Sequence, residues 1–532
     1  MFAAQRIPYQ LTGAFSKIIL DYLEGAATLR SFYDIAPNLE GIKQAIVEKK
    51  EQHSDRHSLV EALNEQYKGV TAFDKVGLNM SLLEKDTTFT ICTAHQPNLF
   101  TGPLYFIYKI LHAIRLANEL KQQFPDYDFV PVYYMGSEDA DLSELNHFTV
   151  EGKRYEWATT QTGAVGRMHV DQSLLGLIDT LEGQLSIYPY GKEWIDLLRS
   201  SFKLEETIQQ ATFQLVHQLF ASYGLIVLIA DHPVLKASMK AVFEDDLFHH
   251  TAAAIVAETG KRLSEHYDEQ AHARDINLFY LQGAIRERIE KRGDEYIVCN
   301  TDIAFTQESL KAELQQHPER FSPNVILRGL YQETILPNIA FIGGGGEIAY
   351  WLQLKEIFKH YKVPFPILVL RNSFLILEKT WVEKIQKLGL TLDLIFQPGD
   401  ALLNYLVQQR STHDLTLNGK LDSASALYDS IFEQAHSIDP TLSSHVAAVK
   451  TQALKRLKEV EKKMLRAEKR KFSDQQRQIE AIKSKLFPKN GLQERVDNIG
   501  YYYARWGKEC MASIYEHSLG LEQTFTVLVE KD

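Results

Sequence analysis

A chain of 532 residues exceeds what one hydrophobic core organises, so at least two domains are expected. Its 45% hydrophobic and 24% charged residues are average for globular proteins, which excludes a disordered or fibrous chain. A formal charge of −11 argues against wholesale binding to nucleic acid or to an anionic membrane, since both need a basic surface.

The first ten residues hold no apolar run that could serve as a signal peptide, and no stretch reaches the roughly 18 uncharged apolar residues of a membrane span. The expected compartment is therefore the cytoplasm. Cys92, Cys299 and Cys510 lie far apart and form no CxxC pair, so neither a disulfide framework nor a cysteine zinc site is expected. No metal ligand set is assigned.

In chain order, four β-like runs stand out, each followed at once by polar or turn residues. They are residues 88–93 before His95, 130–135 before Gly136, 224–230 before Asp231, and 364–370 before Arg371. Between the first two, residues 104–120 place Ile107, Ile110, Leu111, Ile114 and Leu116 near helical spacing. Strand–helix–strand of this kind implies an α/β fold with a mostly parallel sheet covered on both faces. The long stretches at about 145–220 and 232–325 read as insertions into a core of residues 1–385. Residues 386–532 then form a helical domain. From 444 to 486 there is no Gly or Pro, and Val446, Ala453, Leu457, Val460, Met464 and Ala467 keep a 3–4 spacing. After a slip, Phe472, Gln475, Ile479, Ile482 and Leu486 resume it, as in a coiled coil with a skip in register. The basic run 455–471 is interleaved with Glu459, Glu461 and Glu468, which suits a solvated helix face better than a nucleic-acid surface.

Ligands of open α/β sheets bind beyond the carboxyl ends of the strands. The first run leads into Ala94-His95-Gln96-Pro97-Asn98-Leu99-Phe100-Thr101-Gly102, where His95, Asn98 and Thr101 are candidate donors to an anion at a helix start. A simple Pro/Asn/Gly turn is the plainer reading. The second leads into Gly136-Ser137-Glu138-Asp139-Ala140-Asp141, followed by Asn146 and His147. Three carboxylates there suit an ammonium or a cation, or could take a proton, whereas an N-cap cluster is the structural alternative. Gly343-Gly344-Gly345-Gly346-Glu347 lets backbone approach an anion closely but matches neither GxxxxGK[ST] nor GxGxxG. Arg371-Asn372-Ser373 offers a guanidinium for a carboxylate, or a structural ion pair. Asp231-His232 is a fifth strand-end segment, read more simply as a turn before Pro233. GxSxG, HExxH and an EF-hand loop are absent.

Taken together and in order, these segments resemble the cysteine-adding ligases of bacillithiol biosynthesis. The resemblance rests on residues 95–105, on 136–141 with Glu144, Asn146 and His147, and on 322–328 with Gln332, Leu336 and Pro337. It continues through 343–351, 366–378 and Leu492-Gln493-Glu494-Arg495, and so spans nearly the whole chain. It implies a Rossmann-like, class I synthetase-like core with inserted connecting segments, a C-terminal α-helical coiled-coil domain and a homodimer formed through it. The implied activity is a carbon–nitrogen ligase joining the carboxyl of L-cysteine to the amine of glucosaminyl-malate, with ATP or another nucleotide as the activating cofactor. Glu138, Asp139, Asp141 and His95 are the expected catalytic residues. Gln96, Asn98, Thr101, Gly102, Asn146, Arg328, Gly343, Gly344, Gly345, Glu347, Tyr350, Trp351, Arg371 and Ser373 are the expected substrate- or nucleotide-binding residues. In this assignment Thr101, Gly102 and the glycine loop hold anions, the acidic trio holds or deprotonates an amine, and Arg328 and Arg371 neutralise carboxylates.

The sequence also departs from the pattern. A full HxGH and a KMSKS-like loop are absent, Ala140 stands where the family commonly has histidine, and Gly329 replaces a frequent proline. Two other readings remain at this stage: another amine-acylating or nucleotidyl-transferring enzyme on the same core, and a non-catalytic dimeric metabolite-binding scaffold.

Overall fold

A computed structural model describes residues 1–52, 54–70 and 74–531. The chain divides into a larger unit (Met1–Gln10, Ala14–Ile376 and Gly491–Asp532) and a smaller one (Leu11–Gly13 and Leu377–Asn490).

The larger unit is built on five strands: β1 (Thr88–His95), β2 (Asp128–Met135), β3 (Ile226–Ile229), β4 (Asn338–Gly343) and β5 (Ile367–Leu370). All neighbouring pairs are parallel, in the order β5-β4-β1-β2-β3. This bears out the α/β, Rossmann-like expectation. Every residue of β1 except His95 is buried, as a strand covered on both faces requires. From β1 the chain moves outward through β2 to β3, then crosses back to β4 and β5 on the other side. Strand order therefore reverses between β1 and β4, and their carboxyl ends open a crevice.

Helix α1 (Tyr105–Gln123) connects β1 to β2 and is buried almost all round from Phe106 to Ile114. The region after β2 adds a short helical turn, the hairpin His147–Val150/Lys153–Glu156 and three longer helices before β3. The region after β3 carries helices and a second, antiparallel sheet that includes Leu278–Gln282, Ile285–Arg292 and Phe321–Pro323. Helix α2 (Val325–Ile335) then returns the chain to β4, and α3 (Gly345–Leu352) follows β4 directly. The last strand, Phe525–Glu530, pairs antiparallel with Phe2–Ile7, so both ends of the chain belong to this unit.

The smaller unit is helical. Its long helices are α4 (Asn418–Ile438), α5 (Leu442–Lys469) and α6 (Ser473–Leu486). Cross-links between α4 and α5 run in opposite chain directions: His436 to Ser443, Asp429 to Lys450 and Leu417 to Glu461. The two helices thus form an antiparallel hairpin. A short turn, Arg470–Phe472, separates α5 from α6 where the apolar spacing slips.

Candidate active site

The crevice at the β1/β4 reversal widens into a cavity of about 590 Å³. Its wall comes from the turns after β1, β2, β3 and β4, from Tyr105 and Lys109 on α1, and from Arg328 on α2. Arg286 of the antiparallel sheet, Arg371 after β5 and Arg495 complete it.

At the β2/β3 end, charges are mostly matched. The Glu138 carboxylate accepts from Lys236, whose fully buried ammonium also donates to the Phe321 carbonyl at 2.9 Å. Burial pushes the Glu138 carboxyl up, and Lys236 opposes that push. Asp231 accepts both Nε and Nη2 of Arg167, at 2.6 and 2.8 Å. Burial works against its ionisation too, but the Lys236 and Arg167 charges win and hold it below the ordinary aspartate value. Asp139 is different. It accepts from Gln96 Nε2 at 3.1 Å and from the Asp141 amide at 3.2 Å, and its nearest cation, Arg286, stands 4.0 Å away. Ser137 Oγ is buried here without a partner among the described residues.

At the β1/β4 end, Lys109 donates to the Ala94 carbonyl at 3.0 Å and pairs with Glu347. Glu347 Oε2 also accepts the Gly344 amide at 2.8 Å, so the first turn of α3 is closed by its own carboxylate. Arg371 is buried against Glu494 at 2.7 Å and also reaches Ser373 Oγ at 3.1 Å. Arg328 donates to Gln332 Oε1 at 3.3 Å and to the Tyr350 hydroxyl at 2.9 Å. No carboxylate lies within 4 Å of Arg328 or Arg495 among the described residues. His95 packs against the Tyr105 and Phe106 rings, and its Nε2 has no hydrogen-bond partner among the described residues. Burial, reinforced by Lys109, Arg371 and Arg328, holds its pKa well below the usual histidine value, so the ring is neutral.

Ten of the residues expected from sequence line this one cavity: His95, Gln96, Glu138, Asp139, Arg328, Gly344, Gly345, Glu347, Tyr350 and Arg371. The others lie outside its lining. Asn98, Thr101 and Gly102 turn inward, where Asn498 Nδ2 donates to the Phe100 and Gly102 carbonyls at 2.8 and 2.7 Å. Phe100, Thr101 and Gly102 all have positive φ, and a Cβ on Gly102 would sit 2.7 Å from Asn98 Cβ. Asp141 accepts from Ser143 Oγ at 2.7 Å in an exposed turn, and Asn146 reaches the Trp157 carbonyl at 3.4 Å beside the hairpin. Gly343 ends β4 and accepts the Arg371 amide at 2.8 Å. Trp351 stacks on Phe341 with ring centroids 4.4 Å apart, within the core. Ser373 stands behind the cavity, at Arg371 and Glu494.

A model of the BshC N-terminal Rossmann-like domain of bacillithiol biosynthesis matches residues 2–372, and one of the BshC C-terminal coiled-coil domain matches 374–530. The chain belongs to the BshC family. A BshC protein of Flavobacterium johnsoniae is 37% identical over 98% of this chain and 99% of its own length. One from Cytophaga hutchinsonii is 39% identical over 94% of each chain. A more distant one from Natranaerobius thermophilus is 26% identical over 97% of this chain and 98% of its own. The names of all three include the words cysteine ligase. No described helix is long and apolar enough to cross a membrane.

The BshC C-terminal match contributes directly to the cavity, because Glu494 and Arg495 fall within it while Arg371 falls in the Rossmann-like match. Sequence reading did not assign roles to Tyr105, Lys109, Lys236, Arg286 or Arg495, and it took Asp231 for a turn. Lys109 left a signal: it is the one acid or base, apart from His112, between Leu104 and Ile114 of an apolar helix. Arg286 left none, since a charged residue in a hairpin strand ordinarily faces solvent.

Proposed function

We propose that this chain is a carbon–nitrogen ligase that joins the carboxyl of L-cysteine to the amine of glucosaminyl-malate. The observation that carries this reading is the guanidinium wall of Arg328, Arg371 and Arg495, in which Arg328 and Arg495 have no carboxylate of their own. Arg328 is half-buried without a counter-charge, which is costly, and Arg495 adds an exposed cation to the same wall, so the wall suits an anionic ligand. Malate supplies two carboxylates, and the planar forks of arginine suit each of them.

A carboxylate oxygen is a poor leaving group, so the cysteine carboxyl must be activated before an amine can attack it. ATP or another nucleotide would supply that activation. The groups suited to its phosphates are the open Gly345–Gly346 backbone, where a Cβ on Gly346 would meet no neighbour within 4 Å, and Lys109 beside it. Neutral His95 lines the cavity with its Nε2 unpartnered and can accept a hydrogen bond from the attacking amine, whose released proton passes to solvent. Arg328, Arg371 and Arg495 orient the acceptor, so attack becomes effectively intramolecular.

The test is to incubate the protein with L-cysteine, glucosaminyl-malate and ATP and to read the products by mass. Formation of the amide with AMP or ADP is expected. Amide without nucleotide turnover would replace ATP by a pre-activated cysteine donor. Absence of any amide would defeat the ligase reading.

The antiparallel hairpin is proposed to join two copies of the chain. Leu427, Ile431 and Ile438 on α4, and Leu442, Val449 and Val460 on α5, recur at helical spacing yet are exposed. A second hairpin would cover them. Light scattering at micromolar concentration should give twice the 60.9 kDa chain mass, and a monomer would rule the arrangement out.

A further inference from the structure

The β2/β3 end of the cavity holds one open acid and one open base that face each other. Glu138 is matched by Lys236, and Asp231 by Arg167. Asp139 has no cation within hydrogen-bonding distance, and its side chain is 35% exposed. Opposite it, Arg286 reaches in from the antiparallel sheet with its guanidinium carbon 4.1 Å above the Phe279 ring. Its Nε donates to Ser322 Oγ at 3.2 Å. The N–H groups on Nη1 and Nη2 have no acceptor among the described residues, although the side chain is only 10% exposed. Neither is a sealed donor: both open onto the cavity, where a ligand or water can accept from them.

We propose that Asp139 and Arg286 form the subsite for a free α-amino acid, with Asp139 taking the ammonium and Arg286 the carboxylate. The inference rests on the ligase reading above and states which part of the cavity receives the amino acid. Asp139 and Arg286 stand 4.0 Å apart, close enough to attract and too far to share a hydrogen bond. Gln96 and the Asp141 amide hold the carboxylate from behind, while Ser322 and the Phe279 ring hold the guanidinium. Neither charge collapses onto the other. An α-amino acid carries both complementary charges on one carbon and bridges that gap. The guanidinium wall at the opposite end lacks such a pairing, because Glu347 is already engaged by Lys109 and by the Gly344 amide. Met135, Phe279 and Pro323 also line the cavity and give a small, soft side chain such as a thiol an apolar neighbour.

Three probes separate the two charges: L-cysteine carries both, 3-mercaptopropionate lacks the ammonium, and cysteamine lacks the carboxylate. Calorimetry with the full-length protein should show Asp139→Asn weakening L-cysteine and cysteamine by about tenfold or more while leaving 3-mercaptopropionate unchanged. Arg286→Met should weaken L-cysteine and 3-mercaptopropionate and leave cysteamine unchanged. Should Arg286→Met fail to fold, Arg286→Lys keeps the charge without the fork and must show the same selectivity in smaller degree. Both variants binding all three probes like the wild type, or losing all three alike, overturns the proposal. The amide assay keeps the two readings apart. Wild-type turnover with an unaltered KM for cysteine in both variants removes this subsite and leaves the ligase standing. A split in probe binding without any amide supports the subsite and removes the ligase.

Discussion

The Arg371 guanidinium donates to the Glu494 carboxylate over 2.7 Å, and the two side chains are 5% and 0% exposed. Glu494 also accepts from Ser373 Oγ at 3.2 Å and from the Phe374 amide at 3.1 Å. One buried carboxylate thereby ties a cavity arginine to the segment that carries Arg495. Glu494→Ala strands Arg371 as an uncompensated buried charge, which costs about 3–5 kcal/mol. A melting curve should show a large fall, and a melting temperature within a degree of the wild type would refute the role given to this pair.

Arg328 should behave in the opposite way. Its charge has no carboxylate to offset it, so replacing it removes an unfavourable burial together with a ligand contact. Arg328→Met is expected to melt at or above the wild-type temperature while kcat/KM for the amine acceptor falls about tenfold or more. Loss of stability with activity retained would assign Arg328 a structural role instead.

His112 sets a pH dependence. The Asn372 amide donates to its Nδ1 at 3.1 Å, so Nε2 carries the proton and donates to the Gly520 carbonyl at 2.7 Å. Burial, against the bond to Gly520, lowers its pKa to about 4, whereas an unfolded histidine titrates near about 6.5. Below the unfolded value the unfolded chain takes up a proton that the folded chain refuses. The stabilisation from neutral His112 is therefore complete above pH about 6.5 and is lost as pH falls towards about 4, amounting to about 3 kcal/mol. Denaturant midpoints measured across this window should fall with acid, and His112→Gln should flatten that slope. An equal slope in the variant would exclude His112 as its source.

Two glycines should respond differently to the same substitution. A Cβ on Gly329 would stand 2.9 Å from the Trp351 ring, which is itself stacked on Phe341. Gly329→Ala should cost about 1–2 kcal/mol net, because overpacking outweighs the better helix propensity. A Cβ on Gly346 meets nothing within 4 Å, and Gly346 lines the cavity. Gly346→Ala should leave the melting temperature unchanged or raised and lower the turnover of substrate. Full activity in that variant would show that no ligand approaches the loop closely.

Much of the frame was legible because it depends on local pattern. The runs leading into His95, Gly136, Asp231 and Arg371 are four of the five core strands, and the slip after Ala467 falls just before the turn at Arg470–Phe472. The fifth strand, β4, went unseen. Its apolar stretch is only Ile339-Ala340-Phe341-Ile342, set between Asn338 and the glycines, shorter than the apolar runs that end at Ala230 and Leu370. It is nonetheless the strand that makes the reversal beside β1 and aims the glycine loop at the cavity. Asn98, Thr101 and Gly102 show the converse: they have the right residue types at a strand end, yet three successive positive-φ residues turn them onto Asn498.

Residue pattern by itself determined that this is an α/β chain with polar groups at its strand ends and a helical arm, since periodicity and turn chemistry act between near neighbours. Family membership was equally a property of the ordered sequence. Only the tertiary structure decided which charges remain open. Glu138 and Lys236 are 98 positions apart, and Arg371 and Glu494 are 123 apart. An ion pair is fixed by distance in space, so neither the neutralised Glu138 nor the open pair of Asp139 and Arg286 could be read before the chain was folded.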